Sequence, residues 1–309
     1  FALLAWVSAW LKCHHPAAFY VGLLNSQPMG FYSPSQLVQD ARRHGVTVMP
    51  ADVNHSNWDH RLLDSDGSSQ PPVRLGLRLV KGLSREGAQR VMEARRQAPF
   101  QQVSQLRQRA GLERRDMEAL ADADALASLS GNRHQSQWQI MALEQPRPLL
   151  QDEQRQPGSH FNDGVQLPAP GVAEEVLADY RATGLTLRAH PLALLRHLPP
   201  FNRCSRYVDL GHISHRGFVR IAGVVTCRQR PGTASGVLFL TLEDETGNSN
   251  VVVWPRTQEH FRAALMNGRL LVVKGTLEHK DGVTHIIAGA LEDHSSALAS
   301  LPVQSRDFH

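Results

Sequence analysis

The spacing of apolar residues changes once along this chain, from a helical repeat to a two-residue repeat in the last hundred residues. The first residues, "FALLAWVSAWLKC", are apolar at helical spacing, break at "HHP" (14–16), and continue as a second helix over 17–24. "SPSQLVQDARRHG" (33–45) has a Ser cap and a closing Gly, and "VTVMPADVN" (46–54) predicts a short strand. We expect the first helix to be buried and the chain to be the C-terminal part of something longer.

Residues 73–143 predict helices throughout, after a turn-rich stretch, "DSDGSSQPP" (64–72), that indicates a domain boundary. The stretch "GLRLVKGLSREGAQRVMEARR" (76–96) contains a Lys-Gly pair between two apolar segments. A similar spacing recurs where "VSQLRQRAGL" meets "ERRDMEALADADALASL", around Gly111. The region therefore predicts two related helix-hairpin-helix units.

The last hundred residues alternate as strands do, with five β-rich runs and one helix after the third. That order is typical of an OB-fold barrel. The predicted fold class is thus α+β and multidomain, with helices and a tandem helix-hairpin-helix before a five-stranded OB-fold β-barrel. The predicted divisions are 1–72, helical; 73–143, tandem helix-hairpin-helix; 144–200, linker and connecting helices; 201–298, OB-fold; and 299–309, tail.

Composition narrows the function classes. The 309 residues include three cysteines, Cys13, Cys204 and Cys227, which form no C-x-x-C pair and argue against a disulfide framework or a Cys-based zinc site. This cysteine pattern fits a reducing, cytoplasmic setting best. The apolar start is too short to span a bilayer, and no membrane contact is expected. Close His pairs do not combine with carboxylates at a metal-site spacing, and no metal site is predicted.

Positive charge is concentrated in residues 73–143, which contain 12 basic and 7 acidic side chains, a net charge of +5 against +4 for the whole chain. Such a region favours a polyanionic partner, nucleic acid above all. The alternative is a solvated helical face.

The first hairpin supplies the candidate contacts to duplex DNA. In a helix-hairpin-helix, hairpin amides and the start of the next helix face a phosphate oxygen without reading sequence. Here Gly82 would make the turn with a positive φ, Leu83 would plug the hairpin into the helix pair, and Lys81 and Arg85 would add positive charge. Ser84 stands where a second Gly is usual, so a hairpin used only for packing stays an alternative.

The barrel supplies candidate contacts to single-stranded DNA, because OB-folds bind across strands two and three and the neighbouring loops. Aromatic side chains would stack on bases and cations would neutralise phosphates. Phe239 could also belong to the core, a buried position is favoured for Trp254, and the barrel could instead bind protein. The candidates are Arg228, Arg230, Phe239, Trp254, His279 and Lys280.

Several quoted stretches together resemble the C-family DNA polymerases of bacteria, the replicative alpha-subunit family. Residues 1–54 resemble the end of the fingers region, which implies that the division 1–72 is the C-terminal part of the polymerase fingers. "VRLGLRLVKGLSREGAQRV" resembles the tandem helix-hairpin-helix. "ADYRATGLTLRAHPLALLR" resembles the segment before the OB domain, and "VRIAGVVTCRQRPGTASGVLFLTLEDETGNSNVVVWPRTQEHFR" resembles that domain. The short ending, "SRDFH", is similar to the error-prone ImuC branch.

This resemblance implies DNA-templated nucleotidyl transfer by two Mg²⁺ ions held by palm aspartates. Those aspartates lie upstream of Phe1 in the family, so no catalytic residue is assigned here and the chain alone is expected to be inactive. The resemblance also implies translesion synthesis in the SOS response, with primer-template DNA, ImuA, ImuB and the sliding clamp as partners. Clamp binding is expected to be indirect, because "QPRPLLQ" (145–151) lacks the terminal aromatic of a clamp-binding peptide.

Two other classes stay open on the residues alone. One is a non-enzymatic DNA-binding or scaffold protein built from helix-hairpin-helix and OB modules. The other is a portion that binds mainly protein partners and touches DNA weakly, which a fold cannot exclude.

Overall fold

A computed structural model describes residues 1–29, 32–64, 70–143, 166–232, 236–280 and 282–299 of the chain. It divides into two compact units. The N-terminal unit is Phe1–Gly171 with Leu177–Leu187, and the C-terminal unit is Val172–Val176 with Arg188–His309.

The N-terminal unit is mostly helical. The Ser cap predicted at the start of the third helix is present, since Ser33 forms a full capping box with Gln36. The C-terminal half of α9, from Leu177 onward, also belongs to this unit. The helices are α1 Ala2–His14, α2 Pro16–Asn25, α3 Pro34–Arg43, α4 Arg85–Gln97, α5 Val103–Ala110, α6 Arg114–Asp122, α7 Ala127–Ser130, α8 Arg133–Ala142 and α9 Val172–Ala182.

A small sheet joins the residues on both sides of the predicted boundary at residue 72. Its strands are β1 Val48–Met49, β2 Arg61–Leu62 and β3 Val73–Arg74, and the central β3 pairs with both others. The helical core extends this link, since Val53 packs with the side chains of α4 to α6. Segments 1–72 and 73–143 therefore share one sheet and one core, and their division by function stays a prediction.

The C-terminal unit is built on a closed five-stranded barrel in the order β4-β5-β6-β8-β7. Alternate side chains fill it, as in Leu238, Leu240 and Leu242, which are all buried. Two short helices lie between the third and fourth barrel strands, where one helix was predicted. The elements are α10 Pro191–Leu195, β4 Phe218–Gln229, β5 Leu238–Glu243, β6 Asn248–Val253, α11 Pro255–His260, α12 Arg262–Asn267, β7 Leu270–Lys280, β8 Val283–Asp293 and α13 Ser295–Ala299.

Helix α1 departs from expectation. No residue of α1 is buried among the described residues, and Leu3, Leu4 and Trp6 are 72%, 68% and 64% exposed. The helix itself carries apolar side chains on most of its faces. Near its end, Lys12 Nζ forms an ion pair with Asp40 at 2.8 Å. The expectation of a buried first helix is therefore wrong for the described chain. None of the helices in the described ranges is both long and apolar enough for a membrane span.

Barrel closure leaves a testable constraint at Gly275. A Cβ there would overlap the carbonyl oxygen of Ile287 and lie 3.0 Å from its carbonyl carbon, both main-chain atoms that cannot move cheaply. We expect Gly275→Ala to destabilise the barrel by about 1–3 kcal/mol through overpacking. Hydrogen exchange of β7 and β8 peptides, measured by mass spectrometry, should then be clearly faster than in the parent.

Gly289→Ala is the matched control in the same hairpin. Its Cβ would meet nothing closer than the carbonyl oxygen of Lys274 at 3.5 Å, an ordinary contact. Exchange in that variant should match the parent. Equal exchange in the two variants would show that the barrel tolerates a methyl group at Gly275.

Candidate nucleic-acid interface

The first hairpin, residues 81–85, has the backbone that the sequence predicts. Gly82 adopts φ +87°, a conformation that side-chain-bearing residues rarely adopt. Leu83 is buried in the helical core. The predicted roles of these two residues in shaping the hairpin are consistent with this geometry.

The amide of Ser84, which follows the turn, has an internal acceptor. Ser84 N donates to Asp116 Oδ1 at 2.9 Å, and Ser84 Oγ donates to Asp116 Oδ2 at 2.9 Å. Ser84 also caps α4, since its Oγ accepts from Gly87 N at 2.9 Å. Asp116 lies in the first turn of α6 and is only 5% exposed. These contacts favour the alternative in which the hairpin serves packing.

Lys81 is engaged by the end of α9. Its main-chain N donates to Ala182 O at 2.9 Å, and its Nζ donates to Tyr180 O and Arg181 O, both at 3.1 Å. A cation at the C-terminal carbonyls of a helix interacts favourably with the helix dipole. Its role as a phosphate contact therefore stays a prediction that competes with these bonds.

Arg85, like Lys81, is exposed. Its guanidinium carbon lies 6.0 Å from the ring centroid of Trp58, within the range of a cation–π contact.

Many of the basic side chains of residues 73–143 are engaged in hydrogen bonds within the protein. At least seven of its twelve basic side chains donate to main-chain carbonyl oxygens. This use was not foreseen from the sequence, because a helical repeat does not reveal which Arg reaches the end of a neighbouring helix. The seven are Arg74, Arg78, Lys81, Arg90, Arg95, Arg109 and Arg133.

The second hairpin, between α5 and α6, repeats the pattern of the first. Gly111 adopts φ +57°, and Leu112 is buried in the same core as Leu83. Arg90 of α4 donates through Nε to Ala110 O at 3.0 Å. Each unit of the tandem therefore holds the hairpin of the other.

The outer face of β5 and β6 presents Phe239 away from the core. Phe239 lies between the buried Leu238 and Leu240, and it pairs with Val252 on β6 and Gln229 on β4. Paired residues share a face, so these three side chains form one row on the outside of the barrel. Phe239 is half-buried there, and the alternative of a core position is wrong.

Trp254 and Arg230 lie at the same end of this face. Trp254 follows β6 and is 52% exposed, so the favoured buried position is wrong. The reason is alternation: Val253 faces the core, and the next side chain faces outward. The exposed Arg230 and the ring of Pro255 flank Gly236, at 3.8 and 3.7 Å from its Cβ position.

Arg228 does not line the face. A bulge between Val225 and Cys227 shifts the register of β4, so Arg228 pairs with the buried Leu240 and shares its side. Its guanidinium donates to Leu265 O at 2.8 Å and to Gly268 O. Burial lowers the pKa of Arg228, and Asp293 opposes that shift. Without the bulge, simple alternation would have placed this side chain outside.

His279 and Lys280 lie at the other end of the face. Strand β8 runs parallel to β6 and pairs His285 with Asn250, so the β7–β8 turn lies near the start of β6. That end is about 20 Å along the strand from Trp254 at the usual rise per residue. His279 is held by Ile213 O and Thr284 Oγ1, each at 3.0 Å, and Lys280 is exposed.

Two polar residues of this face were missed from the sequence. Within the described ranges, Asn248 Oδ1 and His285 Nδ1 are buried atoms without a hydrogen-bond partner. Both lie on the outward positions of β6 and β8. The two-residue alternation in "NSNVVVW" and "GVTHIIAG" was the signal that could have found them.

The described residues do not fit the Mg²⁺ ions that the resemblance implies. No group of three or more His, Cys, Asp or Glu side chains among them could hold a metal ion. We derive no catalytic step through a metal in this chain.

The hairpin geometry gives a prediction with opposite signs at two glycines. Gly82→Ala places a side chain at φ +87° and should destabilise the N-terminal unit by about 1–3 kcal/mol. Gly22→Ala lies inside α2 with nothing within 4 Å of the new Cβ, and should stabilise by about 0.5–1 kcal/mol. Urea unfolding followed by far-UV circular dichroism measures both, and a stabilising Gly82→Ala would contradict the strained turn.

Comparison with known families assigns both folds. A family model described as a helix-hairpin-helix motif matches residues 45–136, and one described as an OB-fold nucleic acid binding domain matches residues 219–293. The predicted fold class, α+β with helix-hairpin-helix before a five-stranded OB-fold barrel, is confirmed. Among solved structures, asparaginyl-tRNA synthetase from Pyrococcus horikoshii is 28% identical over 26% of this chain and 20% of its own, with a TM-score of 0.23.

Named relatives match the whole chain. An "Error-prone DNA polymerase" of Saccharophagus degradans is 53% identical over 312 residues, and one of Teredinibacter turnerae is 52% identical over 318 residues. Each match covers 100% of this chain and 30% of the relative, so the chain spans about a third of the length of these curated relatives. The predicted resemblance is thereby confirmed: over its whole length, this chain is homologous to a segment of the error-prone DNA polymerases.

Proposed function

We propose that this chain is the DNA- and partner-binding portion of an error-prone translesion DNA polymerase. The observation that carries the proposal is the outer face of the barrel, where Phe239 and the exposed Trp254 lie at one end beside Arg230. Aromatic side chains stack on any base and cations follow the backbone, so such a face suits a single-stranded template without sequence preference. The unpartnered atoms of Asn248 and His285 add hydrogen-bonding groups on the same face.

The helical unit would complement the barrel by binding the duplex part of a primer-template. The positive net charge of residues 73–143 and the Gly-Leu turn of the second hairpin support this assignment. Nucleotidyl transfer belongs in this proposal to the full-length polymerase, with Mg²⁺ held by residues upstream of Phe1, as in the family. The chain contributes positioning of DNA and no catalytic group.

Its partners and setting follow from the family and stay proposals. They are ImuA and ImuB, an indirect contact to the sliding clamp, an SOS role and a cytoplasmic location. The segment 145–151, weighed as a clamp-binding peptide, lies outside the described residues.

Single-strand binding should depend on the aromatic end of the barrel face. Trp254→Ala and Phe239→Ala should each weaken binding of a labelled oligothymidylate of about 16 nucleotides, by about 1–3 kcal/mol per lost stacking contact. Fluorescence anisotropy titrations measure this, and circular dichroism checks that each variant is folded.

Phe218→Ala is the matched control. Phe218 is 70% exposed, but it lies at the start of β4. Gln229, which pairs with Phe239 on β5, lies at the opposite end of β4. Its loss should leave affinity unchanged. Equal weakening in all three variants, or none in the two face variants, would reject this face as the binding surface.

The purified chain should not extend a primer on its own. Primer-template, deoxynucleoside triphosphates and Mg²⁺ are supplied, and products are separated on a denaturing gel. A full-length error-prone DNA polymerase serves as the positive control. Templated extension by the chain alone would locate catalytic groups within it and contradict the proposed division of labour.

A further inference from the structure

We infer that the first hairpin is closed to DNA phosphate by the chain's own groups, and that Asp116 is the residue that closes it. This inference rests on the proposed DNA-binding function and specifies where in the helical unit phosphate does not bind.

The carboxylate of Asp116 sits where a phosphate would approach. A phosphate-binding hairpin offers its amides and the start of the following helix to an anionic oxygen. Here that amide is Ser84 N, and its acceptor is Asp116 Oδ1 at 2.9 Å. The second carboxylate oxygen accepts from Ser84 Oγ at 2.9 Å. An internal anion thus takes the place of an external one.

The glycine at position 87 leaves space for this carboxylate. A Cβ on Gly87 would overlap Asp116 Oδ2 and lie 2.7 Å from Ser84 Oγ. Gly87 stands in the first turn of α4, where a helix gains nothing from glycine itself. Its place is explained by the room that the carboxylate needs.

It would be energetically unfavourable for a DNA phosphate to displace the Asp116 carboxylate from the Ser84 donors. The residue is 5% exposed, and its nearest cation is Arg90 at 3.9 Å. A phosphate entering the hairpin would take the Ser84 donors from a buried carboxylate and bring a second negative charge beside it.

One of the two cations of the hairpin is committed as well. Lys81 directs its amine to two carbonyl oxygens of α9 and its amide to a third. The Ser84 donors and the Lys81 amine are therefore already bound, whereas Arg85 lies beyond the turn, at the first position of α4. The phosphate contacts of the helical unit lie outside the first hairpin, and Lys81 and Ser84 act in stability.

The Ser84 amide resonance in two-dimensional NMR of the full chain tests this directly. With inorganic phosphate as the probe, we expect no shift of the Ser84 resonance in the parent chain. With duplex DNA, we expect other resonances to move while Ser84 stays fixed. A saturable Ser84 shift with either probe would overturn the closure.

Variants at Asp116 distinguish the loss of a hydrogen-bond acceptor for the Ser84 amide from the loss of a negative charge. Asp116→Ala removes the acceptor, so the Ser84 resonance should become sensitive to phosphate. Asp116→Asn keeps an acceptor beside the amide, so Ser84 should stay insensitive. Glu86→Gln removes a negative charge from the first turn of α4 without touching the Ser84 amide, and it should behave as the parent. Sensitivity in Glu86→Gln equal to that in Asp116→Ala would reject Asp116 as the closing residue.

Lys81→Met gives an independent reading. It keeps an apolar stem and the main-chain bond to Ala182 O but loses the amine contacts to Tyr180 O and Arg181 O, so the melting temperature should fall while duplex affinity and its salt dependence stay as in the parent. A slope of log affinity against log salt that is smaller by about 0.9 would show a phosphate contact and contradict the inference. Absence of any duplex binding by the parent would reject the proposed duplex-binding role of the helical unit, and the phosphate titration would still decide whether the hairpin is closed.

Discussion

A buried carboxylate determines how the two hairpins of the N-terminal unit fit together. Burying Asp116 is unfavourable unless its oxygens are hydrogen-bonded, and the first hairpin supplies both donors through Ser84. In return, Arg90 of α4 reaches the carbonyl of Ala110 in the second hairpin. The two Gly-Leu turns are therefore held by each other's helices, and Leu83 and Leu112 meet in a single core. A turn locked in this manner cannot rearrange around a ligand without breaking contacts on the far side of the unit.

In the barrel, the surface is determined by the core, because the same strands supply both the inward and the outward side chains. Each residue that faces inward fixes an outward neighbour, so the packing of Leu238 and Leu240 is what presents Phe239. A single bulge in β4 reverses that rule for Arg228 and turns a surface cation into a cap for the carbonyls that end α12. The composition of the outer face thus depends on backbone register as much as on residue type.

The contrast between local and distant signals explains what the sequence could and could not predict. The bounds of β4, residues 218–229, and the positive φ of Gly82 follow from alternation and turn chemistry, which neighbours in sequence decide. The contact between Ser84 and Asp116 spans 32 positions and depends on how α6 packs on α4, so no local pattern contains it. The exposed Trp254 was misjudged although a local pattern decides it: it follows the inward-facing Val253, so its side chain faces outward.

Gly87 shows how the closed hairpin constrains the history of the sequence. A Cβ at this position would collide with the carboxylate of Asp116, so we expect a substitution at Gly87 to be destabilising as long as that acid is present. Loss of the acid in turn leaves the donors of Ser84 unpaired, which favours replacement of that serine next. Positions 84, 87 and 116 are thereby linked, because a change at one alters the contacts of the other two.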